Sequence, residues 1–306
     1  MILTVLAGSA NVPLADAIAA ELGVTPRRRV AQRFADTELH VVIEETVRGH
    51  DVYLIQPTSP PVDEHVVELL FLADACRRAG AARLTAVTPY FGYARQDRRA
   101  AGREPIGARV VAELIEAAGF DRVIAIDLHT PAIEGFFHLP LEHLSATSIL
   151  AEAVRPVITS NTIVVAPDMG AAKLAERYQA LLNVPMVVLR KARLSGHEVA
   201  VRGVMGDSVR ERAPLIVDDM ITTGATIEAA VNGLLAAGCL REITVVATHA
   251  LFVGPALERL RALPIRRMTT TNSVAVASAL PFPLQIVSVA PIIAERIARL
   301  TTRAGG

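Results

Sequence analysis

The phrase AGAARLTAV, from Ala79 to Val87, places a glycine between a helix-periodic stretch and a short apolar, β-rich run. Gly80 supplies the left-handed turn that ends a helix, because it has no Cβ to clash there. The run that follows is apolar at consecutive positions, as in a strand covered by helices on both faces. The phrase recurs as AGFDRVIAI at Ala118 to Ile126 and AGCLREITVV at Ala237 to Val246. Strand-like runs alternate with helix-periodic stretches along nearly the whole chain, so the fold class is α/β, with parallel sheets flanked by helices. The first and third copies share a Leu/Ile-Thr step and lie in opposite halves of the chain. Two readings stand: two similar α/β halves in tandem, or recurring helix-to-strand loop chemistry. On the first, the division falls near residues 145 to 155, giving domains 1–148 and 149–306, with TSNTIVVAPD opening a strand of the second. Whether the last helix, about Pro291 to Leu300, crosses back to the first half is left open.

Outward from that phrase the local signals agree. A first helix is expected from about Val12 to Leu22, with Asn11 as its cap, Pro13 in the first turn, Leu14, Ile18 and Leu22 on one face, and Gly23 as the stop. Strands are expected near Leu39 to Ile43 and Val52 to Ile55. A longer helix from about Val62 to Ala79 feeds the strand Leu84 to Val87.

Composition narrows the function classes. The 306 residues, 52% apolar, are too many for one small domain. A formal net charge of zero offers no long-range positive field to nucleic acid or an anionic membrane, so neither is an expected partner. Cys76 and Cys239 lack ligand or CxxC spacing and read as buried free thiols in a reducing compartment. MILTVLAG reads as a strand rather than a leader, and no uncharged run has membrane-spanning length, so a cytoplasmic protein is expected. Of the 31 basic residues only Lys173 and Lys191 are lysines. Where arginine serves nearly every basic role, a remaining lysine points to a site that needs a compact ammonium.

The strongest chemical signal is LIVDDMITTGAT, Leu215 to Thr226. A buried strand ends in Asp218 and Asp219, and a small-residue loop, Thr222, Thr223, Gly224, Ala225 and Thr226, then opens a helix. Backbone N–H groups, threonine hydroxyls and a helix N-terminus together make a donor cradle for a phosphate monoester. The carboxylates can meet ribose hydroxyls or a metal bound to them. The bland alternative is an ordinary strand-to-helix turn with Asp at its cap. Paired acids and a threonine-rich loop at the carboxyl end of a strand, where α/β sheets place ligands, favour the phosphate site.

This segment resembles the phosphoribosyl-diphosphate motif of type I phosphoribosyltransferases and of ribose-phosphate diphosphokinases. PYFGYARQDR, Pro89 to Arg98, is close to a signature of the diphosphokinases. FADTE, Phe34 to Glu38, resembles that family's adenine loop. The likeness continues through TVRGHDVYLIQPT (Thr46 to Thr58), IDLHTPAIEGFF (Ile126 to Phe137), APDMGA (Ala166 to Ala171) and SVAPIIAE (Ser288 to Glu295), in order along essentially the whole chain. It implies a type I phosphoribosyltransferase-like fold in each half, and transfer of the diphosphoryl group of ATP to the anomeric hydroxyl of ribose 5-phosphate. By the same resemblance Phe34, Asp36, Thr37 and Glu38 line the adenine pocket, and Arg95 and Gln96 hold ATP. His129 and Asp168, with Asp127 less firmly, attend Mg2+. Lys191 and Arg193 are catalytic, and Arg193, Asp218, Asp219 and Thr222 to Thr226 bind ribose 5-phosphate. The resemblance also implies a homo-oligomer, a hexamer before a dimer or tetramer, in which FADTE reaches a neighbouring subunit's ATP.

Three departures from the common bacterial pattern stand out. Thr222 replaces a frequent Asp, Thr37 a frequent Gly, and KARLSGHEV after Leu189 and Arg190 resembles archaeal-type members. They put regulation by inorganic phosphate and ADP in doubt. Lys173 stays open between a helix-face lysine and a phosphate contact. The rivals are a phosphoribosyltransferase, which would leave FADTE, PYFGYARQDR and IDLHT unexplained, and a non-catalytic subunit, which would lack some of the residues just named.

Overall fold

The computed structural model describes residues 1–193, 199–277 and 280–302; within these, the side chains of 191–193, 199–202, 204 and 302 lie outside the description. Two compact units result: Met1–Ser145 with Ser273–Ala275 and Ser288–Gly306, and Ala146–Asn272 with Val276–Val287.

The first unit contains β1 (Leu3–Ala7), α1 (Val12–Glu21), β2 (Arg29–Arg33), β3 (Leu39–Ile43), β4 (Asp51–Ile55), α2 (Val62–Arg78), β5 (Arg83–Thr88), α3 (Gly107–Ala117), β6 (Arg122–Ile126) and β7 (Leu141–Leu144). Its sheet has five parallel strands in the order β1-β4-β5-β6-β7. Leu6, Val52, Leu54, Leu84, Ala86 and Val123 pack with Leu69, Leu72 and Cys76 of α2 and Val111 and Ile115 of α3. Alternate residues of the same strands, Val5, Tyr53, Ile55 and Ile124, are buried too, as a sheet covered on both faces requires. β3 does not join this sheet: it pairs antiparallel with β2 in a separate hairpin, Arg29 opposite Ile43. β2, RVAQR, carries no run of apolar residues by which to recognise it as a strand.

The second unit contains α4 (Thr147–Val154), β8 (Thr162–Ala166), α5 (Ala172–Leu182), β9 (Met186–Arg193), β10 (Val199–Gly206), β11 (Ala213–Ile221), α6 (Ala225–Ala236), β12 (Ile243–Ala250), α7 (Ala256–Arg261), β13 (Ile265–Thr271) and β14 (Leu284–Val287). The strand order is β10-β9-β8-β11-β12-β13-β14, parallel except for β10, which returns antiparallel beside β9. Ile163, Val165, Ile216, Val245 and Met268 meet Ile227, Val231 and Leu234 of α6. The last helix, α8 (Ala290–Thr302), packs on α1 in the first unit, with Ile293 and Ile297 fully buried.

The recurring glycines do what their spelling implies. Gly80, Gly119 and Gly238 have φ of +85, +88 and +84° at the ends of α2, α3 and α6, just ahead of β5, β6 and β12. Asn11 caps α1 by accepting from the Leu14 N–H at 3.3 Å.

Candidate active site

In the second unit β11 does not stop at the acids. It runs on to Ile221, with Asp218 opposite Ala247 and Met220 opposite His249 of β12, so the carboxylates sit within the strand's last residues. Thr222 and Thr223 then turn the chain, and Gly224, at φ +75°, is the N-cap of α6 without any side-chain cap. Neither the Thr223 nor the Gly224 N–H donates to a protein acceptor among the described residues. On the neighbouring strand β8, Asp168 follows Ala166 and accepts from the Gly170 N–H at 3.0 Å.

These three acids interact. Asp218 is half-buried by area, yet its carboxyl is pushed well above the ordinary carboxylate range, first by desolvation, then by the charge and side-chain hydrogen bond of Asp219, then by Asp168. An all-oxygen, mutually repelling set favours whatever brings positive charge or hydroxyl donors. Among the described residues no group of three or more His, Cys, Asp or Glu side chains is arranged to hold a metal ion.

In the first unit the remaining candidates follow the carboxyl ends of the strands, where parallel sheets bind ligands. Pro89 to Arg98 leaves β5 and is tied down by Thr58, a fully buried residue: the Thr58 N–H donates to Tyr90 O (2.9 Å), and its hydroxyl accepts from the Gly92 N–H (2.6 Å). Gly92 could not carry a Cβ, which would fall 2.5 Å from the Thr58 carbonyl oxygen. Tyr93 bonds Asp63, while Arg95 and Gln96 stay exposed at the loop's rim. Asp127 and His129 leave β6. Asp127 holds a left-handed φ of +37°, unusual for a residue with a Cβ, although Asp tolerates it better than most. His143 supports this turn: its Nε2 accepts from the Leu128 N–H at 3.0 Å, so Nδ1 carries the proton toward Glu134 Oε1 at 2.7 Å. Phe34 to Glu38 form the tip of the β2–β3 hairpin. Phe34 is 51% exposed and tilts against His40, and Asp36 accepts from the Glu38 N–H at 3.1 Å. Thr37 has φ +77°, which explains why a glycine suits this position.

The structure thus brings Asp168, Asp218 and Asp219 together in one unit, and places Asp127, His129, Arg95, Gln96 and Phe34 to Glu38 in the other. Lys191 and Arg193 are in β9 by backbone, their side chains outside the description, and the archaeal-like loop, residues 194–198, is outside the described residues altogether. Thr58 and His143 were not legible as site residues. They act on backbone atoms distant in sequence, and neither lies in a motif that names its partner.

Comparison with known proteins decides the family. Residues 3–119 match the N-terminal domain of ribose phosphate pyrophosphokinase, and residues 138–283 match the phosphoribosyl transferase domain. A ribose-phosphate pyrophosphokinase of Gloeobacter violaceus is 43% identical over 97% of this chain and 90% of its own. The chain belongs to the ribose-phosphate pyrophosphokinase family. A pyrophosphokinase of Staphylococcus saprophyticus is 40% identical over 96% of this chain and 92% of its own. The crystal structure of the phosphoribosylpyrophosphate synthetase from Mycobacterium smegmatis matches with a TM-score of 0.90 at 36% identity, covering 99% of this chain and all of that one. At such identity over full length, this pyrophosphokinase is an enzyme: an ATP-binding transferase and kinase of nucleotide biosynthesis with a two-part, phosphoribosyltransferase-like α/β fold.

Proposed function

We propose that the enzyme's reaction, transfer of a diphosphoryl group from ATP to ribose 5-phosphate, runs through the residues that the resemblance singled out. The observation that carries this is the loop Thr222 to Thr226, whose unused N–H groups at the start of α6 follow directly on Asp218 and Asp219. The loop holds the 5-phosphate and the acids hold the ribose hydroxyls. The anomeric hydroxyl gives up its proton to water as its oxygen forms a bond to the β-phosphorus, the bond from that phosphorus to the α-phosphate bridging oxygen breaks, and AMP leaves. Lys191 and Arg193 offset the negative charge that builds on the transferred group, the largest contribution proteins make in phosphoryl transfer. Arg95 and Gln96 grip ATP, and Phe34 with Asp36, Thr37 and Glu38 receives adenine.

The cofactor is Mg2+. The resemblance assigns to it Asp127 and His129 in the first unit and Asp168 in the second; their donor chemistry suits it, because oxygen ligands predominate and magnesium keeps waters and substrate phosphates in its shell. When bound it neutralises phosphate charge. No helix among the described residues is long and apolar enough to cross a membrane. The family resemblance supports a cytoplasmic enzyme and a homo-oligomer, a hexamer before a dimer or tetramer.

The test is direct. Purified protein mixed with ribose 5-phosphate, ATP and Mg2+ is expected to release AMP and phosphoribosyl diphosphate, with AMP formation dependent on the sugar phosphate; no product at any inorganic phosphate concentration would sink the proposal. Lys191→Arg should leave the melting curve in place and remove most of kcat, on the order of a hundredfold for a misplaced charge contact.

A further inference from the structure

The segment behind the phosphate loop binds the loop's carbonyls one after another. The Leu251 N–H donates to Ile221 O at 2.9 Å and the Val253 N–H to Thr222 O at 3.0 Å. Arg259 of α7 completes the series, its Nη1 donating to Thr223 O at 2.6 Å. The same guanidinium has its Nε 2.7 Å from Glu228 Oε2 in the first turn of α6, and only about a quarter of the side chain is exposed (27%). The next residue, Leu260, is buried beneath Gly224, where an added Cβ would come within 3.3 Å of its Cγ.

A trans peptide is planar, with C=O and N–H pointing to opposite sides. Fixing Thr222 O on Val253 therefore turns the Thr223 N–H away from the segment 251–259, and fixing Thr223 O on Arg259 turns the Gly224 N–H the same way. Both N–H groups lack a protein acceptor among the described residues, as do those of Ala225, Thr226 and Ile227 in the first turn of α6. The first is held by a backbone contact that any residue at 253 other than proline can make. The second depends on one side chain.

We propose that Arg259 is a positioning residue for the sugar phosphate: through Thr223 O it sets the peptide plane that aims the Gly224 N–H at the 5-phosphate, without touching the substrate. Glu228 holds the guanidinium in line and balances its charge, so that Arg259 acts by orientation and not as a phosphate ligand. This rests on the reading of Thr222 to Thr226 as the 5-phosphate loop.

The experiment compares Arg259→Met, Arg259→Lys and a loop control, Thr226→Val, by steady-state kinetics and by calorimetric binding of ribose 5-phosphate alone. Arg259→Met is expected to raise KM for ribose 5-phosphate by about tenfold, the loss that goes with one poorly oriented charged hydrogen bond, while KM for ATP stays within about twofold and the melting midpoint barely moves. Arg259→Lys should recover part of the loss, because an ammonium can still reach the Thr223 carbonyl but cannot also fork onto Glu228. If KM for ATP and for ribose 5-phosphate rise together, or if the lysine variant matches methionine, the positioning role is overturned. If Thr226→Val weakens ribose 5-phosphate binding while Arg259→Met does not, the loop reading survives and the role of Arg259 falls. If Thr226→Val has no effect on ribose 5-phosphate, the loop reading itself is lost, and the inference with it.

Discussion

Asp218 shows how one residue sets function against stability. Its carboxyl is raised in the folded protein, so the folded state holds that proton more tightly than the unfolded chain, and stability falls as pH rises from the ordinary Asp range toward the folded value. The ligand-free enzyme loses this stability across that window. Asp218→Asn should therefore raise the melting temperature of the ligand-free protein at neutral pH, with the gain shrinking on acidification below the ordinary Asp range, and should weaken ribose 5-phosphate binding at least about tenfold. Calorimetry at neutral and acidic pH checks both signs; a variant less stable than wild type at neutral pH would contradict the account. Burial pushes the Cys76 thiol up to about 12, whereas Cys239 is only half-buried. A disulfide reagent at neutral pH is thus expected to modify Cys239 slowly and Cys76 only after denaturation, as peptide mapping can show. At this scale the sequence is legible where a residue acts on its own neighbours, as Asn11 does in capping α1 three residues on. It is silent where the partner is remote: nothing in QPTSPP says that Thr58 will brace Gly92 thirty-four residues later, or that Arg259 will reach Thr223.

Among the elements, the helix-stop glycines are the sequence's clearest statement, and their costs can be ranked. A Cβ at Gly238 would meet only Arg210 at ordinary distance (3.6 Å), so Gly238→Ala should lose about 1–2 kcal/mol from the left-handed backbone alone. At Gly80 a Cβ would also stand 3.1 Å from the Arg48 guanidinium, and Gly80→Ala should cost more. Urea midpoints at constant m-value would establish the order; equal losses would mean that the side chain of Arg48 yields freely. The strands were readable wherever apolar residues ran together, as in β4, β5, β6, β8 and β11. The β2–β3 hairpin was half-readable. LHVVI has strand composition, but RVAQR is polar, and its pairing is dictated by a partner strand and by the turn at Thr37. The extent of β11 was underestimated for a related reason: acids discourage a strand assignment, yet hydrogen bonding to β12 carries the strand through Asp218 and Asp219.

At the level of the whole molecule, alternation of strand-like runs with helix-periodic stretches was enough to indicate an α/β protein, whereas the repeated phrase left open whether the chain has two similar halves and gave no path of the chain between its units. No local pattern distinguishes a helix that covers its own unit from one that returns to another; the packing of α8 on α1, with Ile293 and Ile297 fully buried, reveals it. Removing residues 288–306 should therefore harm the first unit and not the second, which contributes no residue after Val287. Calorimetry of the truncated chain is expected to show the first unit melting early or not cooperatively while the second keeps its transition; a truncated chain with an intact first transition would refute the assignment. The returning helix also orders events on the ribosome. The first unit begins to emerge before the second, yet it lacks its closing helix until Ala290–Thr302 has been made, on the order of ten seconds after Leu144 at usual elongation rates. During that interval α1 has no α8 to pack against it, so the half that is born first is the half that matures last.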